Sequence, residues 1–148
     1  MLLQRLYAAT AATLLLLSLN AYSGEPGPTL SAPEAYARVE AGKMTLIDIR
    51  RPEEWRQTGV AKDARRINME HPDGLIAFLR QVAVEVKGDG NAPIGLICRT
   101  GNRTTHIQQV MQEVGFTQVY NIQEGMAGSA AGPGWIARGL PVEPCPSC

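Results

Sequence analysis

Ile94-Gly95-Leu96-Ile97-Cys98-Arg99-Thr100-Gly101-Asn102-Arg103-Thr104 changes character twice within a few residues. Pro93 to Ile97 is apolar and too short for a helix, which predicts a buried strand. Cys98 to Asn102 is polar and contains Gly101, as a tight turn does. From Arg103 onward Ile107, Val110, Met111 and Val114 recur at helical spacing until Gly115 stops the pattern. A thiol therefore stands where a buried strand gives way to a helix. In open α/β sheets that junction, at the carboxyl end of a strand, is where ligands bind.

The flanking sequence repeats the alternation. Ser31-Ala32-Pro33-Glu34 has capping-box spacing with proline in the first turn, Tyr36 and Val39 share a face, and Gly42 closes the helix. Met44 to Ile49 reads as a buried strand carrying one carboxylate, Asp48. Pro52 to Gln57 predicts a short helix stopped by Gly59, and Ile67 falls on another short strand. Asp73 is the expected cap of a helix running to about Val86, with Leu75, Leu79, Val82 and Val86 on its stripe. Gln118 to Ile122 is the last expected strand. The glycine-rich remainder reads as loop, with a helical turn near Trp135 to Arg138. Helices alternating with strands predict α/β with a largely parallel sheet.

The chain has 148 residues, suited to one domain, with 14 basic and 14 acidic side chains. That balance argues against a surface built for nucleic acid. Residues 1–23 differ from the rest: Arg5 near the start, an uncharged stretch from Leu6 to Ala21, then Ala21-Tyr22-Ser23. This is the layout of a secretory signal cut after Ser23, and the apolar stretch is shorter than a spanning helix needs. An uncleaved tether is the alternative. Cleavage leaves no stable membrane association and 125 residues of net charge −1, beginning with a flexible leader over 24–28. An exported, bacterial periplasmic location is expected. Of three cysteines, Cys145 and Cys148 are neighbours in Cys145-Pro146-Ser147-Cys148, and Cys98 stands alone. In an exported chain the close pair reads as a local disulfide, or as secondary thiols.

A thiol ending a strand is commonly a packed core group. Arg99, Thr100, Gly101, Asn102 and Arg103 make a poor core but a good cradle for an anion. Helix-start amides and a curled loop donate N–H groups, and two guanidinium groups add charge. Each favours thiolate over thiol, and the same groups suit an anionic substrate. Cys98 is thus the candidate nucleophile, with residues 99–103 as candidate binding groups.

The loop resembles the Cys-Arg-x-Gly-x-Arg loop of single-domain rhodaneses. Leu46-Ile47-Asp48-Ile49-Arg50 with Pro52-Glu53-Glu54-Trp55 is similar to that family's first strand and acidic turn. Val114-Gly115-Phe116, Val119-Tyr120-Asn121 and Glu124-Gly125-Met126 resemble its last strand and turn, and Trp135 with Gly139-Leu140-Pro141-Val142 its C-terminal end. The resemblance covers residues 29–142 and leaves 143–148 as a Cys-x-x-Cys tail. Val60 and Asp63 depart from the family's Gly-His-Ile-x-Gly-Ala turn, and Gly128 to Gly134 is an insertion that would border the mouth of the site. The implied fold is a mostly parallel central sheet of about five short strands with helices on both faces. Four residues separate Cys98 from Arg103, against five in the related tyrosine phosphatases, and the smaller cradle argues against phosphoryl chemistry.

The resemblance implies a thiosulfate sulfurtransferase working without cofactor or metal. Cys98 would take a sulfane sulfur from a small anionic donor, carry it as a persulfide, and pass it to cyanide or a thiol, a protein thiol included. Arg99 would attract the donor and Arg103 would brace the loop. Two roles fit Asp48: pairing with a loop arginine, or capping the turn before Pro52. Trp135 fits either packing or the mouth, and His71 and His106 read as surface groups. Two other classes fit the same residues: a persulfide carrier with little turnover, and an exported thiol-redox protein using Cys145 and Cys148 with Cys98 incidental. Within the sulfurtransferase reading, the tail could also reach Cys98 and take or store its persulfide sulfur.

Overall fold

The computed structural model describes residues 27–148, so the expected signal over 1–23 and the start of the leader lie outside the described residues. The elements run α1 (Ala32–Glu40), β1 (Thr45–Asp48), α2 (Pro52–Thr58), β2 (Val60–Ala61), β3 (Arg65–Arg66), α3 (Leu75–Glu85), β4 (Ile94–Ile97), α4 (Asn102–Glu113), β5 (Val119–Asn121) and β6 (Val142–Glu143).

The central sheet has the order β3-β1-β4-β5, with every pair parallel. It has four strands; Thr29 adds a single parallel bridge to Asn121 beyond β5. Leu30 N–H donates to Asn121 O and Asn121 N–H to Pro28 O, so the end of the expected leader already lies along the β5 edge. Covering that edge satisfies backbone groups that would otherwise invite another strand. β2 and β6 form a separate antiparallel pair, Val60 opposite Glu143 and Ala61 opposite Val142.

Both faces of the sheet are buried, which is why β4 is apolar throughout rather than alternating. Side chains still point alternately to two sides. Ile47 and Ile49 of the β1 segment, and Ile94, Leu96 and Cys98 of the β4 segment, join a core with Phe78, Val82, Ile107 and Met111 from α3 and α4. Leu46 and Ile97 face the other core, with Ala32 and Ala35 of α1, Ile122, Met126 and Trp135. Burying a side chain such as Phe78 or Ile94 contributes about 1.5–3 kcal/mol. Position 95 faces this second side, and glycine suits it because a Cβ there would stand 2.8 Å from Met44 Sδ.

The capping box at α1 is present: Glu34 N–H donates to Ser31 Oγ, and Ser31 N–H to Glu34 Oε2 at 2.9 Å. The start of α3 differs from expectation. Gly74 occupies the cap position with no side-chain cap. Asp73 is instead turned into the preceding loop, its N–H on His71 Nδ1 at 3.0 Å. The buried stripe is Phe78, Val82 and Val86, whereas Leu75 is 41% exposed in the first turn.

Candidate active site

β4 delivers Cys98 to the carboxyl edge of the sheet, and the chain turns at once into α4. The turn needs Gly101: its φ is +90°, and a Cβ there would meet Gln123 O at 2.1 Å. That conformation folds the backbone back on the thiol. Gly101 N–H donates to Cys98 Sγ at 3.2 Å, and Thr104 Oγ1 lies 3.6 Å from the sulfur. The Thr104 hydroxyl donates to Gly101 O at 2.9 Å, and Thr105 Oγ1 donates to the same carbonyl at 2.8 Å. Cys98 is only 1% exposed, so its sulfur sits at the floor of the loop.

The loop is held from outside by the turn after β5. Met126 N–H donates to Cys98 O and Ala127 N–H to Arg99 O, both at 2.9 Å. Gly125, with φ +67°, permits this approach, because a Cβ would stand 2.3 Å from Arg99 O. The adjoining insertion folds on itself through Ser129 N–H to Gly132 O. Glu124 anchors it, accepting from Gly134 N–H at 2.8 Å and Arg138 Nε at 2.7 Å. Burial pushes the Glu124 carboxyl up, but Arg138 and the Ala32 and Gly134 amides outweigh it and hold it below its ordinary value.

The two loop arginines differ. Arg99 is exposed, and Thr100 and Asn102 lie beside it at the surface, half-buried and exposed. Arg103 is held by Glu54 of α2 as a bidentate pair, Nη1 to Oε2 at 2.7 Å and Nη2 to Oε1 at 2.6 Å. Glu54 Oε2 also accepts Arg51 N–H at 3.0 Å. Burial raises the Glu54 carboxyl, yet the Arg103 hydrogen bonds, the Arg51 amide and the charges of Arg103 and Arg50 bring it from 4.5 to about 2. The same hydrogen bonds raise Arg103, so both partners stay charged.

Asp48 does not touch a loop arginine. It pairs with Arg50, Nη2 to Oδ2 at 2.7 Å, and accepts Arg50 N–H at 3.1 Å, both side chains being buried. Arg50 then reaches Thr58 Oγ1 and Gly59 O, each at 2.8 Å. The geometry explains why: a guanidinium two residues along the same strand end meets Asp48 while the loop arginine is taken by Glu54. Asp48 and Arg50 thus fix the far end of α2, and α2 carries the carboxylate that holds Arg103.

Glu54 and Thr104 are the residues that sequence reasoning passed over. Glu54 lies in the acidic turn next to Trp55, and no local pattern ties it to Arg103. Thr104 falls six residues past Cys98, one turn into α4, where helical geometry returns a side chain to the loop. Trp135 is a core residue, fully buried, edge-on to Tyr36 at 5.7 Å and donating from Nε1 to Pro141 O; it does not line the mouth. His71 is engaged by Asp73 and Gln81, and His106 is exposed on α4. Cys145 and Cys148 form a disulfide, and Cys98 is the free cysteine.

A family model described as a rhodanese-like domain matches residues 31–131. Among solved structures, the polysulfide-sulfur transferase homodimer from Wolinella succinogenes aligns with a TM-score of 0.59 at 26% identity, over 78% of this chain and 77% of that one. A protein from M. tuberculosis aligns with a TM-score of 0.63 at 25% identity, covering 82% of this chain and 100% of that chain. The human single-domain sulfurtransferase shares the fold, with a TM-score of 0.53 and 24% identity over 67% of this chain and 91% of that one. The family model spans the strand, the thiol loop, its helix and the sheet around them, and this chain belongs to the rhodanese-like domain family.

Proposed function

We propose that this chain is a sulfurtransferase in which Cys98 carries the sulfur. The observation that supports this most is the Gly101 amide on Cys98 Sγ at 3.2 Å, inside a loop that opens onto the start of α4. Backbone donors and a helix start favour negative charge on that sulfur, both as thiolate and as persulfide. The family and its sulfurtransferase relatives support the same role.

The reaction has two halves. Cys98 thiolate attacks the outer, sulfane sulfur of a small anionic donor such as thiosulfate. The S–S bond of the donor breaks, sulfite leaves with the electron pair, and Cys98 holds a persulfide. Cyanide or a thiolate then attacks the outer sulfur, and Cys98 returns as thiolate. Arg99, exposed beside the loop, attracts the donor; the amides of residues 99–103 hold the charge; Arg103, clamped by Glu54, keeps the loop in shape.

We further propose export to the periplasm with cleavage after Ser23, for which the charge and hydropathy layout of residues 1–23 is the support. The Cys145–Cys148 disulfide fits an oxidising compartment.

The test is sulfur uptake by Cys98→Ser. Wild-type protein treated with thiosulfate should gain the mass of one sulfur atom on Cys98 and transfer it to cyanide. The variant should melt at the same temperature and do neither. Undiminished transfer by Cys98→Ser would remove the assignment.

A further inference from the structure

The C-terminal pair is docked on the fold. β6 holds Val142 and Glu143 against β2, and beyond it one side chain, Arg66, reaches both sulfurs of the disulfide. Arg66 Nη1 lies 2.7 Å from Cys145 Sγ and also contacts Cys148 Sγ. Arg56 Nη1 donates to the Cys148 carbonyl. A neutral disulfide is a weak acceptor and gains little from a cation. A guanidinium against two sulfurs acts on the reduced form, where it favours thiolate. A larger thiolate fraction makes the reduced pair a readier nucleophile. Both cysteines are only partly buried, so the pair is open to exchange.

The pair also lies at the edge of the sheet that carries Cys98. Arg66 is in register with Asp48, and Asp48 with Ile97. These three form one row across the carboxyl ends of β3, β1 and β4, and Cys98 is the next residue after Ile97. Strand spacing puts the Arg66 and Ile97 backbones roughly 10 Å apart. The tail beyond Glu143, five residues long, spans up to about 17 Å when extended.

We propose that Cys145 and Cys148, once reduced, are the built-in acceptor for the sulfur on Cys98 and release it as sulfide. This rests on the persulfide reading above. One tail thiolate attacks the outer sulfur of the Cys98 persulfide; the persulfide S–S bond breaks and Cys98 leaves as thiolate. The second tail thiolate attacks the cysteine sulfur of the new tail persulfide, forms the Cys145–Cys148 disulfide and expels hydrosulfide. Two thiols are oxidised to one disulfide, and the sulfane sulfur takes both electrons. A dithiol reductant from outside the chain supplies two electrons and two protons to reset the pair.

The test starts from the full chain, reduced with a dithiol and freed of it, then given thiosulfate alone. Wild type should release one sulfide per chain and re-form the disulfide, at a rate per chain that does not change with protein concentration. The Cys145→Ser/Cys148→Ser double variant should keep the sulfur on Cys98, with sulfide release lost. Equal sulfide release by the double variant, a wild-type chain that keeps its persulfide beside reduced tail thiols, or a rate that scales with concentration would each overturn the proposal. The double variant also separates the two readings. If it acquires no sulfur on Cys98, the persulfide reading itself fails, whatever the tail does. Arg66→Ala should slow alkylation of the reduced tail thiols at neutral pH by about tenfold for each unit by which the thiol pKa rises, with recovery at alkaline pH. Unchanged reactivity would overturn the role of the arginine.

Discussion

Arg103 and Glu54 meet as a bidentate ion pair, 2.6 and 2.7 Å, that joins the first turn of α4 to α2. The pair spans 49 positions in sequence, and its carboxylate end is mostly enclosed, with 11% of the Glu54 side chain exposed. It sits beside the thiol loop, so its loss should be felt in chemistry as well as in stability.

Glu54→Gln should therefore slow sulfur loading of Cys98 and lower the melting temperature, Arg103 being left with a neutral partner. The wild-type pair should also be pH-dependent in a defined direction. The Glu54 carboxyl titrates at about 2 in the folded chain against 4.5 ordinarily. A depressed carboxyl stabilises the fold above its ordinary pKa, and that contribution is lost as pH falls from about 4.5 towards about 2. The shift corresponds to at most about 3 kcal/mol. Urea midpoints of wild type and Glu54→Gln measured from pH 7 down to pH 3 should converge on the acidic side; parallel curves would mean that Glu54 is not the titrating group.

Asp48→Ala should be a stability mutation and not a chemical one. It leaves Arg50 charged and buried without its carboxylate, which typically costs about 3–5 kcal/mol. Chemical denaturation should show that loss. The fraction that stays folded should still load sulfur onto Cys98, since Asp48 reaches no group of the loop directly and bears on it only through α2 and Glu54. A folded variant unable to load sulfur would place Asp48 in the chemistry after all.

Gly101→Ala should abolish sulfur transfer. The residue needs φ +90°, which costs a non-glycine residue of order 1 kcal/mol or more, and its Cβ would stand 2.1 Å from Gln123 O. The loop must open, and the amide on Cys98 Sγ is withdrawn. Thiosulfate:cyanide turnover is the measure, with the melting temperature beside it. An alanine variant that keeps both would refute the loop geometry.

The strand–loop–helix unit was legible because each part carries its own signal. Ile94 to Ile97 is continuously apolar, Gly101 punctuates, and Ile107 and Met111 mark the inward stripe of α4. Cys98 stood out because the residues after it are unfit for a core. Asp48 was read without its partner because a pair two residues apart on one strand end leaves no periodic trace. Glu54 escaped for a different reason: its contact with Arg103 is set by how α2 packs, which no local pattern encodes. β2 and β6 are two residues each, below the length at which alternation can be recognised. Gly74, with φ +84°, starts α3 in place of Asp73, which lies one residue outside with its amide on His71 Nδ1.

The two bonds from Met126 and Ala127 reach further than they first suggest. In a trans peptide the carbonyl and the following N–H point in opposite directions. Tying Cys98 O and Arg99 O to the outer turn therefore aims the N–H groups of Arg99 and Thr100 the other way and leaves those two carbonyls no freedom to swing round. This stretch of the loop so acquires a polarity: two amide hydrogens point one way and the two carbonyls are engaged the other. The orientation of this stretch is thus set by main-chain bonds to the turn after β5, independent of which side chains line the rim.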